Sequence, residues 1–298
     1  MTITRICYYY SFAMNSISVI IPAYNEEAGI GGVLEDVESV LGRIGIEFEI
    51  IVVDDGSTDR TGEIVKGTGA VLLEQSANRG YGAALKLGVN RAKFDRILIL
   101  DADGTYPPEA IPRLLESAES FDMVVGARTG KNVAIPTCRR FPKWLLKKLA
   151  DYLTGMKIPD LNSGLRVFRK RAVERFLPIL PDGFSFTTTI TVAFLCNSLP
   201  VYYAPIDYYK RSGRSKFRPL QDTINLLNLI IRTSLYFNPL KIFVPAAGVL
   251  LAAGLILLVH RLIAGGGGMV TTVVLLMAGL QFLALGLLAD LIDKRSQR

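Results

Sequence analysis

Short apolar runs and amphipathic stretches alternate along the first half of the chain. SISVIIPAY, EFEIIVVDD, AVLLE, RILILDAD and DMVVGAR are rich in β-branched residues and short enough to be strands. Between them the apolar positions fall at helical spacing. Val33, Val37, Val40 and Leu41 form one stripe, and Ala84, Leu85, Leu87 and Val89 predict a more fully buried helix. Strand alternating with helix predicts an α/β domain whose mostly parallel sheet is covered on both faces. Such sheets bind ligands beyond the carboxyl ends of their strands, where Tyr24, Asp54, Asp55, Asp101, Asp103 and Arg128 fall.

The pattern then changes. Between Arg128 and Arg171 twelve lysines and arginines face only Asp151 and Asp160. A later strand, VYYAPIDYYKR, runs into SGRSKFRP, and the following stretch places Ile224, Leu227, Ile230, Ile231 and Leu235 opposite Asp222, Asn225, Asn228 and Arg232. That spacing predicts an amphipathic helix over 218–238, lying in a membrane interface. Beyond it come two uncharged stretches separated by HRLIAGGGG, each near the roughly 20 residues a helix needs to cross a bilayer. Soluble core helices normally keep a polar face, so 239–298 reads as a transmembrane hairpin with spans at about 242–260 and 269–289. Lys241, Lys294, Arg295 and Arg298 flank one side, against Arg261 and His260 in the short loop. The excess of positive charge places the amino-terminal domain and the tail in the cytosol.

Composition adds bounds. With 298 residues, a net charge of +7 and a positive mean hydropathy, the chain has room for one sizeable domain and an appendage. MTITRICYYYSFA is too short and tyrosine-rich for a secretory segment, so 1–16 reads as an extension and Met14 as a candidate start. Cys7, Cys138 and Cys196 have no metal-binding spacing and suit a reducing compartment. The positive charges are interleaved with apolar helical positions beside a membrane segment, which favours anionic headgroups over nucleic acid as partner.

The chemistry concentrates in RILILDADGTYPPE, where a strand ends on Asp101 and Asp103. Two carboxylates so close repel unless a cation lies between them, and Mg²⁺ or Mn²⁺ held by one or two carboxylates suits a diphosphate. A turn with local hydrogen bonds explains the same triplet. Asp54 ends another strand, where a carboxylate can accept from a ribose or base, whereas Ser57 and Asp59 read as helix caps. A dinucleotide fold needs a glycine-rich turn after the first strand, but that strand ends in PAYNEE. GYGAAL at Gly80 lacks the third glycine, and no GxxxxGK[ST] loop is present.

SVIIPAYNEE, IIVVDDGSTD, NRGYGAAL, ILDADGTYPPE, VVGAR, DLNSGLRVF and RSGRSKF, in this order, resemble family 2 nucleotide-sugar glycosyltransferases of the dolichol-phosphate mannose synthase type. The resemblance covers about 17–217. It implies a GT-A fold, Rossmann-like, and inverting, metal-dependent transfer of a hexose (mannose or glucose) from a nucleotide sugar (GDP- or UDP-hexose) to a dolichyl or undecaprenyl phosphate. It implies further that Pro22, Tyr24, Glu26 and Asp54 hold the nucleotide, that Asp101 and Asp103 hold Mg²⁺ or Mn²⁺, and that Arg128, Arg166, Arg211, Ser215 and Lys216 face the donor and acceptor phosphates. A lipid phosphate is largely dianionic near neutral pH and needs no general base. Asp160 then orients Arg166 or the acceptor, with a base role as the alternative. The chain departs from the family's pattern at Gly104 and Thr105, in place of Leu-Gln, at Tyr81, often a basic residue, and at Thr187 to Thr189, where relatives often carry an acid.

Two other functions fit parts of the chain. A polysaccharide or glycolipid synthase would use a hydroxyl acceptor, but processive members carry Gln-x-x-Arg-Trp, which Trp144 in FPKWLL does not match. A noncatalytic nucleotide- or lipid-binding membrane protein leaves the clustered carboxylates unexplained. Nothing in the sequence opposes a homo-oligomer.

Overall fold

The structure is a computed structural model that describes residues 16–130, 140–183, 185–209, 236, 238–264 and 269–296. The interfacial helix expected over 218–238 therefore lies outside the described residues apart from Tyr236 and Asn238, and so do Met14, Cys7, Cys138, Arg211, Ser215 and Lys216.

The chain divides into two compact units, Met1–Lys143 with Lys157–Arg218, and Trp144–Met156 with Pro219–Arg298. The first is built on seven strands, β1 (Ser16–Ala23), β2 (Glu47–Asp54), β3 (Val71–Glu74), β4 (Arg96–Ile99), β5 (Met123–Ala127), β6 (Arg166–Arg169) and β7 (Val201–Pro205). They form one sheet in the order β3-β2-β1-β4-β6-β5-β7. All pairings are parallel except those of β6, which runs antiparallel to both β4 and β5. Central strands buried on both faces read as unbroken apolar runs, and Ile17 to Ala23 is buried throughout. Pro22 sits at the end of this central strand without breaking a ladder. Ala23 accepts from the β2 side and Ile20 from the β4 side, so alternation turns residue 22 toward β4, whose strand has already ended at Ile99.

Helices α1 (Ile30–Ile44), α2 (Thr61–Lys66), α3 (Tyr81–Arg91) and α4 (Ile111–Ala118) follow β1 to β4. The predicted stripe on α1 is buried as expected, Val33, Val37, Val40 and Leu41 all lying in the core. On α3 the buried face is Gly82, Ala84, Leu85, Gly88 and Val89, whereas Leu87 is 39% exposed. At 100° per residue it lies well round the helix from Leu85, so it leaves the buried set. After β5 come α5 (Arg140–Thr154), α6 (Lys170–Glu174) and α7 (Phe186–Cys196).

The second unit contains most of α5 and two long helices, α8 (Leu240–Ala264) and α9 (Met269–Ser296). Of 25 and 28 residues, each is apolar and long enough to cross a membrane, reaching past the expected spans. Gly254 packs against Leu276 and Gly279 against Leu251, the small residues letting the two helices approach. Pro245, in the second turn of α8, has no N–H to give to the carbonyl of Lys241, and the hydroxyl of Tyr152 donates to that oxygen instead, at 2.7 Å. Lys241 in turn donates from Nζ to the carbonyls of Tyr152 and Leu153 at 3.1 and 2.8 Å, closing the last turn of α5.

Candidate active site

Because β1, β2, β4 and β5 run parallel, their carboxyl ends share one edge of the sheet, and the loops after Ala23, Asp54, Ile99 and Ala127 open there together. The first two are stitched to each other. Asn25 adopts the left-handed region at φ 54°, and its Oδ1 accepts from the Thr58 N–H at 2.8 Å. Its own N–H donates to Ser57 Oγ at 2.9 Å, and Glu26 N–H to Thr61 Oγ1 at 2.9 Å. Ser57 thus braces the neighbouring loop rather than capping α2 as the sequence predicts. Asp59 accepts from Thr61 N–H at 3.0 Å, keeping a local turn role.

Asp54 is 6% exposed, and its Oδ1 accepts from Ser57 N–H at 2.8 Å; among the described residues no donor reaches Oδ2. Asp55, also buried, clamps the turn ahead of α3 by accepting from the N–H groups of Arg79 and Gly80 at 2.7 and 2.8 Å. Gly80, at φ 106°, takes a conformation a side chain would strain. The N–H of Ala83 goes to the carbonyl of Asp182 at 3.0 Å, so a protein carbonyl occupies the start of α3.

The first two loops adjoin the carboxylate pair, since a Cβ placed on Gly29 would stand 2.8 Å from the carbonyl of Ala102 and 3.4 Å from Asp103 Cα. Asp103 Oδ1 accepts from the backbone and hydroxyl of buried Thr105, at 3.2 and 2.7 Å. Asp101 is held from two sides. The Tyr81 hydroxyl donates to its Oδ1 at 2.9 Å, and the backbone of Gly164 lies so near that an added Cβ would fall 2.4 Å from Oδ2. Gly164 is fixed by its N–H, which donates to the Tyr106 hydroxyl at 2.6 Å. Burial, followed by the charge of Asp101, raises both phenols above their ordinary values, so each keeps its proton. Among the described residues no group of three or more His, Cys, Asp or Glu is placed to hold a metal. Asp101 and Asp103 bring two carboxylates to the loop that follows β4. A cavity of about 280 Å³ opens beside Asp101, lined by Leu100, Gly104, Tyr106, Glu109 and Tyr209 among others.

At the end of β5, Arg128 binds Asp160 in a two-pronged pair, from Nε to Oδ2 at 2.7 Å and from Nη2 to Oδ1 at 2.8 Å. The backbone N–H groups of Arg128 and Asn162 add two more bonds to the carboxylate, both at 3.0 Å. Burial alone would raise the Asp160 pKa, but the hydrogen bonds and charge of Arg128 outweigh it and bring the carboxyl down to about 2. Burial likewise opposes the Arg128 charge, and the bond to Asp160 overcomes it, leaving the guanidinium well above its usual value. The guanidinium stacks 5.1 Å from the Tyr208 ring centroid, and among the described residues no acceptor takes Nη1. Asp160 therefore orients Arg128, where the sequence reading had it orient Arg166 or the acceptor.

Arg166 is the main correction. It is fully buried, donating from Nε to the Ser163 carbonyl at 2.7 Å, from Nη2 to the Leu161 carbonyl at 2.8 Å and from Nη1 to Thr191 Oγ1 at 2.6 Å. It braces the 160–164 loop against α7 from inside and does not face a phosphate. The Thr187 to Thr189 stretch is buried on α7, with the Thr188 hydroxyl donating to Asn162 Oδ1. Sequence reasoning missed Tyr81, Tyr106, Asn162 and Gly164 as site residues; the DLNSG motif was the available signal for the last two.

Residues 18–177 match the family described as Glycosyl transferase family 2, and residues 238–294 match the GtrB C-terminal hairpin. The chain belongs to glycosyl transferase family 2. Among curated proteins it is 33% identical to the undecaprenyl-phosphate 4-deoxy-4-formamido-L-arabinose transferase of Pseudomonas paraeruginosa, over 95% of this chain and 86% of that protein. The Aeromonas hydrophila enzyme of the same name is 31% identical, over 93% and 88%. Among solved structures, glucosyl-3-phosphoglycerate synthase of Mycobacterium tuberculosis, in complex with Mn²⁺, UDP and phosphoglyceric acid, shares the fold at 21% identity. Its TM-score is 0.59, over 74% of this chain and 78% of that one. This family 2 glycosyltransferase thus joins a GT-A sheet to a two-helix membrane hairpin.

Proposed function

We propose that the chain transfers a sugar from a nucleoside diphosphate to a polyprenyl phosphate at the cytosolic membrane face, with inversion. The observation that carries this reading is the pairing, on one sheet edge, of the Asp101 and Asp103 carboxylates with the oriented Arg128, in a chain that also carries a membrane hairpin. Two carboxylates, joined by no third His, Cys, Asp or Glu among the described residues, fit Mg²⁺ or Mn²⁺, which usually completes its shell with substrate phosphate and water. Such an ion, when bound, neutralises charge on the departing diphosphate. The stitched Asn25 and Thr58 loops, with Pro22, Tyr24, Glu26 and Asp54, form the nucleotide side. Arg128 offers Nη1 to an anionic oxygen, and Arg211, Ser215 and Lys216 complete the acceptor side in this proposal. Asp160 holds Arg128 and, with its pKa near 2, is too weak a base to take a proton at neutral pH, which agrees with a lipid phosphate that attacks the anomeric carbon unaided.

The resemblance points to a hexose, the curated relatives to an aminopentose derivative, and the structural neighbour to UDP, so the donor is the quantity to measure. The full-length protein is incubated with radiolabelled UDP- and GDP-sugars of both classes, undecaprenyl or dolichyl phosphate, and Mn²⁺ or Mg²⁺. Label is expected in a lipid-extractable phosphodiester, lost in excess EDTA. Transfer to a hydroxyl acceptor alone would establish the polysaccharide or glycolipid reading, and undiminished transfer in EDTA would remove the metal.

A further inference from the structure

We infer that Tyr81 is a positioning residue for Asp101, setting the direction in which that carboxylate faces a bound cation. The inference rests on the reading of Asp101 as a cation ligand. Tyr81 is the first residue of α3, and the turn that delivers it is fixed from outside the helix. The Asp55 carboxylate holds the N–H groups of Arg79 and Gly80, and the Asp182 carbonyl takes the Ala83 N–H. A side chain leaving so constrained a turn has a fixed origin. Its hydroxyl meets Asp101 Oδ1 at 2.9 Å, while the Gly164 backbone closes against the same carboxylate from another direction.

The two contacts differ in what they do to charge. Gly164 restricts the carboxylate by bulk, and Tyr81 restricts it by a hydrogen bond from a neutral donor, so the anion is oriented without being cancelled. A lysine or arginine in that place would orient Asp101 as well but would compete with a cation for it. Partners that orient metal-binding side chains typically change metal affinity by 10- to 100-fold when removed.

The test compares wild type, Tyr81→Phe, Gly164→Ala and Asp101→Asn in the full-length protein. Mn²⁺ is titrated while the free ion is followed by electron paramagnetic resonance, with UDP or GDP present, whichever the wild type binds. Phe keeps the ring and removes one oxygen, so the thermal midpoint is expected to stay close to wild type while the apparent Kd for Mn²⁺ rises at least about tenfold. Nucleotide affinity without metal should be unchanged, and lost activity should return at high Mn²⁺. Gly164→Ala, which pushes the carboxylate from the other side, should weaken Mn²⁺ in the same way and serves if Tyr81→Phe folds poorly. Wild-type Mn²⁺ affinity in Tyr81→Phe, with Asp101→Asn impaired, overturns the role of Tyr81 alone. Wild-type affinity in Asp101→Asn overturns the underlying metal reading. Equal loss of nucleotide binding with and without Mn²⁺ in Tyr81→Phe also overturns the inference, because it marks a side chain needed only for the fold.

Discussion

Asp160→Asn separates an orienting carboxylate from a catalytic base. The native side chains of Arg128 and Asp160 are 12% and 11% exposed, so water screens the pair only weakly. Asparagine keeps one carbonyl acceptor but turns an NH₂ group toward the guanidinium, leaving a buried positive charge without its counter-ion. Breaking such a pair from one side costs roughly 3–5 kcal/mol. The drop of the carboxyl from 3.8 to about 2 gives a second measure, about 2 kcal/mol. For a domain of some 200 residues each kcal/mol moves the midpoint by roughly 2–4 °C, so a fall on the order of 5–15 °C is expected in thermal unfolding of the detergent-solubilised protein. Activity should fall too, through Arg128, and Arg128→Met should cost little further in the Asp160→Asn background. A base role predicts the opposite pattern. An unchanged midpoint, with turnover reduced more than about a thousandfold and a shifted pH profile, would refute the orienting assignment.

The same pair makes an acid-sensitive contribution to stability. Because the folded pKa of Asp160 lies below its unfolded value, the unfolded state binds the extra proton, and the contribution is complete above about pH 4 and lost as pH falls through about 2. Thermal midpoints of wild type should drop across that window more steeply than those of Asp160→Asn. Arg166→Met should destabilise the fold by roughly 2–4 kcal/mol, since it leaves the Ser163 and Leu161 carbonyls without their buried donor. At a temperature where the variant is folded its KM for polyprenyl phosphate should match wild type, and a raised KM with an unchanged midpoint would return Arg166 to the phosphate site.

What could be read in the sequence followed the range of each interaction. The central parallel strands β1, β4 and β5 were visible because burial on both faces makes them unbroken apolar runs, and the Asp101 and Asp103 pair was visible because its two members and their turn lie within a few residues. β6 was not. RVFR is four residues long with an arginine at each end, and only the burial of Arg166 against carbonyls and Thr191 makes it an interior strand. The partner of Asp160 lies 32 residues away, and nothing in either neighbourhood distinguishes Arg128 from Arg166 as that partner. The basic segment shows the consequence most plainly. Counted along the chain it looks like one surface for an anionic acceptor. Because β6 runs against its neighbours, Arg166 enters at the site edge and Arg169 leaves at the other, opposite Arg96 at the start of β4. There Arg169 and Arg171 pair with Asp122 and Asp95, while Lys170 donates to the Ala92 carbonyl. Those charges cannot share a ligand with Arg128, because strand direction decides which edge a residue reaches, and no local window of sequence records it.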